Sequence, residues 1–354
     1  MGCEVCIPRE RGYTVYFSEK QNPEQLIRYF RHFPVSEWKC IHERIFWVKE
    51  PIFFDLSDYV EVHMNKSDIF AILSDIRDPL KQLHLMKPIS QFKEEREASW
   101  IDELIKNEDI CTYYQPIVGF ENGKLAIKGQ ELLSRGVDRN GEIIPPFKMF
   151  EAARIRGRTF SLDRACRLKS VKNAGVVGDK LIFINFIPTA IYAPEHCLAT
   201  TFKLIKELDI KPEQVVFEVV ETEEVNDIEH LKSILNYYRS HGFKYALDDV
   251  GSGYNGIEKL SKMEPNFVKL AIEFTNGVSQ DASKQQVAQS VLSIAHGMGS
   301  KALAEGIESE EDLLFLADMG YDLFQGYFLG KPTAKPVTNL DGLTFSPKVT
   351  PISK

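Results

Sequence analysis

From residue 111 to residue 332 the chain repeats one pattern, a short apolar run that reads as a strand followed by a stretch of helical periodicity. The strand candidates are "CTYYQPIVG", "KLAIKGQELL", "KLIFINFIP", "QVVFEVVE", "KYALDDVG", "NFVKLAI", "KALAEGI" and "LFQGYFLG". Amphipathic stretches such as "HLKSILNYYRSHG" and "SEEDLLFLADMG" lie between them, each closing on a glycine suited to the C′ position of a helix. Strands that alternate with helices predict a parallel sheet. Eight such strands predict an α/β fold, a (β/α)₈ TIM-type barrel.

The flanks read differently. Residues 1–95 form a small α+β unit, expected to regulate or dimerise. "GYTVYFS" alternates like a strand, and "NPEQLIRYFRHF" is a helix with Asn22 as N-cap and Pro23 at the first helical position. "KCIHERIFWVKE" gives one or two strands, "PIFFDLSDYVEVHM" has helical spacing, and "DIFAILSD" is too short to assign. The barrel is expected over 96–334, and a proline- and polar-rich, loosely ordered tail over 335–354.

Composition narrows the function. Lys and Arg number 43 against 51 Asp and Glu, a net charge of −8, which excludes a general surface for nucleic-acid polymers. No apolar run approaches the roughly 18 residues of a membrane span, and the N-terminus turns charged early, so a cytoplasmic protein is expected. Gly2 and Cys3 suggest lipidation, but the pattern requires Ser or Thr where this chain has Cys6. Cys3 and Cys6 could form half a zinc site with Cys40 and His42; their spacing fits no common finger, and free thiols are the plainer reading.

The polar residues at the strand ends carry the chemistry. Glu131 stands near the end of strand two, Asn185 on strand three, Glu218 on strand four, Asp248 and Asp249 on strand five, Lys269 on strand six, Glu305 on strand seven and Gln325 on strand eight. In a (β/α)₈ barrel these ends converge on one rim, where active sites sit. A single one could be a cap, a turn or a surface group; recurrence on strand after strand is not explained that way. Clustered carboxylates need cations. The oxygen-rich donor set, with no histidine or cysteine, selects Mg²⁺, Mn²⁺ or Ca²⁺ over zinc. The tandem aspartates suit a pair of metals, the usual clamp for phosphoester hydrolysis. Lys269 could hold the attacking water. Arg135, placed beyond the strand end, could bind a phosphate. Glu308 is expected to brace the loop after strand five or to cap the next helix.

Taken together, "QELLSR", "INFIP", "FEVVETEEV", "LDDVGSGYNG", "ALAEGIES" and "FQGYFLGKP" resemble the motif series of the EAL domain, the family of cyclic di-GMP phosphodiesterases. The resemblance covers about residues 100–334. It implies a barrel whose first strand is antiparallel, and Mg²⁺- or Mn²⁺-dependent hydrolysis of cyclic di-GMP to pGpG, inhibited by Ca²⁺. It implies further that Glu131, Asn185, Glu218 and Asp248 ligate a first metal, with Asp248 bridging to a second that Asp249 serves. Lys269 and Gln325 would position the catalytic water, and Glu305 would complete the second-metal end. Arg135 would bind a substrate phosphate, Gln115 in "YYQPIV" would lie near the nucleotide, and Glu308 would hold the loop after strand five. A homodimer is expected on the same ground.

Three positions depart from the family's pattern. Leu132 replaces the family's alanine, a change expected to be tolerated. Asn266 and Ala271 stand where the family commonly has aspartates flanking the lysine, and Ala271 removes a negative group two residues from Lys269. A catalytically weak domain that acts as a cyclic di-GMP receptor is therefore the rival reading, and another two-metal phosphoesterase barrel a more distant one. No diguanylate cyclase signature is present.

Overall fold

The computed structural model describes residues 11–20, 22–191, 193–219, 228–251 and 263–340. Gly2, Cys3, Cys6 and most of the glycine-rich loop after Asp249 lie outside them. The described chain divides into two compact units. One contains Leu104–Phe150 and the chain from Thr159 onward; the other contains the residues up to Glu103 together with Glu151–Arg158.

The N-terminal unit is built in the order β1 (Gly12–Phe17), α1 (Pro23–Phe30), β2 (Trp38–His42), β3 (Ile45–Lys49), α2 (Glu50–His63), β4 (Ile69–Ser74) and β5 (Lys87–Pro88). Its antiparallel sheet has the order β2-β3-β1-β4-β5. Asn22 caps α1 by accepting from the Glu24 amide at 2.9 Å. "DIFAILSD" resolves as strand because alternate residues Ile69 and Ala71 enter the core beside Tyr13, Val15, Phe17, Phe46 and Val48. This unit also holds a buried charge cluster that periodicity does not reveal. The Arg156 side chain is fully enclosed; it donates to Asp102 at 2.8 Å and to Glu50 at 2.7 Å. Glu50 and Asp102 are thus joined by a residue that follows them by more than fifty positions in the chain.

The second unit is a closed barrel. Its strands are β6 (Ile110–Glu121), β7 (Lys124–Val137), β9 (Leu181–Phe186), β10 (Val215–Val219), β11 (Lys244–Val250), β12 (Phe267–Leu270), β13 (Lys301–Ala304) and β14 (Leu323–Phe324). The two-residue β8 (Ile143–Ile144) pairs outside the ring, on β7. Strands β7 and β9 through β14 run parallel, and β6 closes the ring antiparallel to both β7 and β14. The turn that reverses β6 is Asn122-Gly123, with φ of +51° and +76°. An Asn-Gly pair with both φ positive is the signature of a two-residue hairpin, which is why the first strand is antiparallel.

Three details differ from the sequence reading. Arg135 lies inside β7, not beyond it, because the hairpin partner keeps pairing as far as Ile110 opposite Gly136. Strand β14 stops at Phe324, because the next backbone turns against Ile307: a β-carbon on Gly326 would lie 2.2 Å from the Ile307 nitrogen. The tail is not loose over its described residues, since Gln130 donates to the Val337 carbonyl at 2.7 Å and Leu340 packs on the barrel core.

Candidate active site

The barrel interior is plugged by Ile117, Phe183, Val216, Ala246, Phe267, Leu303 and Leu323, one from each of seven strands. On β7 the equivalent place is Gly129, where a β-carbon would crowd Phe183 at 3.3 Å. Side chains alternate across a strand, so the residue two positions toward the rim faces the same interior. Those residues are Asn185, Glu218, Asp248 and Lys269 on their strands, Glu305 and Gln325 one residue past the ends of β13 and β14, and Glu131 on β7. On β6 the direction is reversed, and the rimward neighbour of Ile117 is Gln115. A polar ring therefore stands one layer above an apolar floor on all eight strands. The floor keeps water from entering from below, which strengthens every charge interaction in the ring.

Register adds detail. Glu218 pairs with Asn185, and Gln115 with Glu131. Asn185 donates from Nδ2 to Glu131 Oε1 at 2.7 Å, which leaves its own Oδ1 free to accept or to ligate. Gln325 donates to Glu131 Oε2 at 2.6 Å and to Gln115 Oε1 at 3.1 Å. Lys269, fully buried, is the ring's cation; its Nζ lies 2.7 Å from Glu218, 3.1 Å from Asp248 and 2.5 Å from Glu305. The Glu218 contact is a charge contact without directed geometry, and neither buried Glu218 oxygen has a hydrogen-bond donor.

Asp248 and Asp249 present a puzzle, since neighbours on a regular strand point to opposite faces. The structure resolves it with a bulge. Between Leu247 and Val250, β11 carries one residue more than its partner β12, and Asp249 adopts a left-handed backbone with φ of +55°. Carboxylate oxygens of Asp248, Asp249 and Glu305 then come within 4.8 Å of one another. A non-glycine residue in this region is strained by about 1 kcal/mol or more, a cost that recurs at functional sites.

Burial, followed by the charge of Glu131, pushes Glu218 well above the ordinary carboxylate range. Glu305 moves the same way through burial and the charge of Asp248, and Asp249 rises for the same two reasons. Glu131 goes the other way: against the effect of burial, Lys269 and the donated amide of Gln325 hold it below its usual value. Lys269 is also buried, yet Asp248 and Glu218 raise it well above the usual lysine value. The ring has more negative charge than Lys269 can neutralise. Such a set of oxygens, part of it without donors, fits divalent cations.

The remaining candidates lie around this ring. Arg135 is on the face of β7 that carries Glu131, four residues rimward; it donates to the Ser134 carbonyl at 2.8 Å and stands 5.6 Å from the Tyr113 ring centre. Glu308 is exposed and accepts from Asn276 Nδ2 at 3.0 Å. Asn266 accepts from the Tyr245 amide at 3.0 Å, a structural contact at the entry to β12. Ala271, 3% exposed, follows β12 and begins the short helix Ile272–Thr275 without a side-chain cap. The bulge at Asp249 and the floor were not legible as such. The signal for the floor was present, since on β9 to β14 an apolar residue precedes the ring residue by two.

A sequence model of the EAL domain matches residues 98–332. The chain is 30% identical over 245 residues to a probable cyclic di-GMP phosphodiesterase, PdeG of Escherichia coli K12, covering 67% of this chain and 46% of that protein. It thus spans less than half the length of that relative. Among solved structures it is similar to a standalone versatile EAL protein from Vibrio cholerae O395 in its c-di-GMP-bound form, with a TM-score of 0.58 and 32% identity over 65% of this chain and 95% of that one. The c-di-GMP-bound FimX EAL domain of Pseudomonas aeruginosa, 19% identical, shares the fold with a TM-score of 0.61 over 69% of this chain and 99% of that one. With its motif series and polar ring, the chain belongs to the EAL domain family.

Proposed function

We propose that this chain hydrolyses cyclic di-GMP to linear pGpG and so lowers the level of a second messenger. The observation that carries the reading is the polar ring itself, with Asp248, Asp249 and Glu305 gathered within 4.8 Å above a closed apolar floor. Two Mg²⁺ or Mn²⁺ ions, when bound, would supply Lewis acidity at the scissile phosphate and lower the pKa of water. Glu131, Asn185, Glu218 and Asp248 would hold one ion, and Asp248 with Asp249 the other, beside Glu305. Calcium, larger and bound less strictly, would occupy the same oxygens and inhibit.

The chain's own groups then act as follows. Arg135 grips a phosphate with its planar fork, and Gln115 lies beside the nucleotide. Lys269 and Gln325 hold the attacking water. A phosphorus–oxygen bond to that water forms as one P–O3′ bond breaks; the water sheds a proton to solvent and the departing 3′ oxygen takes one up, so the sum is one water added. Glu308, fixed to Asn276, supports the loop after β11. The reading includes a cytoplasmic homodimer; no described helix is long and apolar enough to cross a membrane.

A second reading rests on Ala271, a methyl group where the family commonly has a carboxylate: the domain binds cyclic di-GMP and signals without turnover. Incubation of purified protein with cyclic di-GMP and Mn²⁺ or Mg²⁺ separates the two. Formation of pGpG is the expected result. Tight binding with no product over hours would favour the receptor.

A further inference from the structure

The family match ends at residue 332, but the chain does not leave the barrel there. Tyr114 and Thr333 exchange two backbone hydrogen bonds, of 2.8 and 3.0 Å. Gln130, 2% exposed and on the opposite face of β7 from Glu131, donates to the Val337 carbonyl. Just before this stretch, Gly330 approaches β6 so closely that a β-carbon would stand 2.7 Å from Pro116 Cγ. The segment from Gly330 to Leu340 is thus held along β6 and β7 at several separate points.

Its first residue reaches the polar ring. The Gly330 carbonyl accepts from Gln115 Nε2 at 3.2 Å. At the other end of the same chain of contacts is the Glu131 carboxylate, which accepts from Gln325. The Gly330 carbonyl and the Glu131 carboxylate can only accept, and two side-chain amides stand between them. An amide has one donating and one accepting end. Gln115 turns its NH₂ to Gly330 and its oxygen to Gln325; Gln325 turns its NH₂ to both Gln115 and Glu131. No other orientation satisfies all four groups. What remains is Gln325 Oε1, a buried acceptor with no hydrogen-bond partner.

We propose that Gly330–Leu340 is a positioning strap, anchored by Gln130, that fixes the orientation of the Gln115 and Gln325 amides and keeps Gln325 Oε1 available to the attacking water. Gln130 is a positioning residue, since it acts through the strap. The role in turnover rests on the hydrolysis reading above; the orientation of the amides does not.

The test uses the full chain with glutamine side chains selectively labelled with ¹⁵N. The Gln115 and Gln325 signals are assigned by their loss in Gln115→Leu and Gln325→Leu. In Gln130→Leu, hydrogen exchange at both amides is expected to rise about tenfold or more, as local opening becomes easier. Gln214, which donates to the Gly178 and Lys180 carbonyls at 2.9 and 3.1 Å, serves as the internal control and should not change. In the same variant kcat should fall about tenfold with KM within about twofold and with full binding stoichiometry, the pattern of a group that acts in the transition state. Unchanged exchange at Gln115 and Gln325 in a folded variant overturns the strap, and faster exchange with unchanged kcat overturns its part in turnover. Faster exchange in a protein whose wild type makes no pGpG supports the strap and overturns the hydrolysis reading instead. If Gln130→Leu does not fold, Thr333→Pro removes the amide that donates to Tyr114 and is read in the same way.

Discussion

Lys269 on β12 and Glu218 on β10 are both fully enclosed, and across the intervening β11 the Lys269 Nζ stands 2.7 Å from a Glu218 carboxyl oxygen. Lys269 is also the counter-charge for Asp248 and Glu305. Replacing it by Met removes one partner of a buried charge cluster, which destabilises by about 3–5 kcal/mol. Urea unfolding in the presence of a chelator measures this. The same change deepens the negative charge of the ring, so Mn²⁺ should bind more tightly while pGpG formation falls about a hundredfold or more. Weaker Mn²⁺ binding would show that Lys269 organises the ligands rather than competing for them.

Glu218, Glu305 and Asp249 all have pKa values raised by folding. A folded state that holds its protons more tightly loses stability as pH rises through those values. Lys269, also raised, contributes in the same direction at alkaline pH. Glu131, which is lowered, opposes them only below the ordinary carboxylate range. The metal-free protein should therefore melt at lower temperature as pH is taken from about 5 to about 8. Mg²⁺ or Mn²⁺ ligates the deprotonated carboxylates, so saturating metal should flatten or reverse the trend. A melting temperature that rises with pH in a chelator would contradict the charge distribution described above.

Glu131 receives hydrogen bonds from both Asn185 and Gln325, so its loss disturbs two other ring residues at once. Glu131→Ala is expected to abolish turnover and to weaken metal binding, followed by pGpG chromatography and Mn²⁺ calorimetry. Losing the acceptor of the buried Gln325 amide also costs about 1–3 kcal/mol for an unsatisfied group, so the melting temperature should drop in parallel. Retained activity would remove Glu131 from the metal site.

Much of this was legible because the strand period is two. Apolar residues at Phe183, Val216, Ala246, Phe267, Leu303 and Leu323 are each followed two positions later by a ring residue, and that repeat is local in the chain. The antiparallel first strand was also written in the chain, at Asn122-Gly123. What was not legible depends on distant partners. The extent of β7, and so the place of Arg135 within it, is decided by β6. The Arg156 cluster joins residues 50, 102 and 156, and no local pattern marks a buried arginine. The bulge at Asp249 follows from a register shift between β11 and β12, which exists only once the strands pair.

Of the positions where the motif series departs from the family's pattern, Ala271 is the one where a substitution tests most. It lies two residues beyond Lys269, just past the end of β12, and is almost fully buried. Ala271→Asp has two opposed consequences. As N-cap of the helix Ile272–Thr275, which has no side-chain cap, an aspartate can contribute about 0.5–2 kcal/mol. As a further carboxylate beside Asp248, Asp249 and Glu305, it adds repulsion that only a cation relieves. In a chelator the second effect should dominate and the variant should melt below the wild type. With Mn²⁺ the order should reverse, because the added oxygen strengthens the second-metal end. Turnover should then rise about tenfold if that end limits the rate. An unchanged rate, with the melting order reversed as expected, would mean that the alanine affects metal retention and not catalysis. An unchanged melting order in both conditions would place position 271 outside the electrostatic reach of the site.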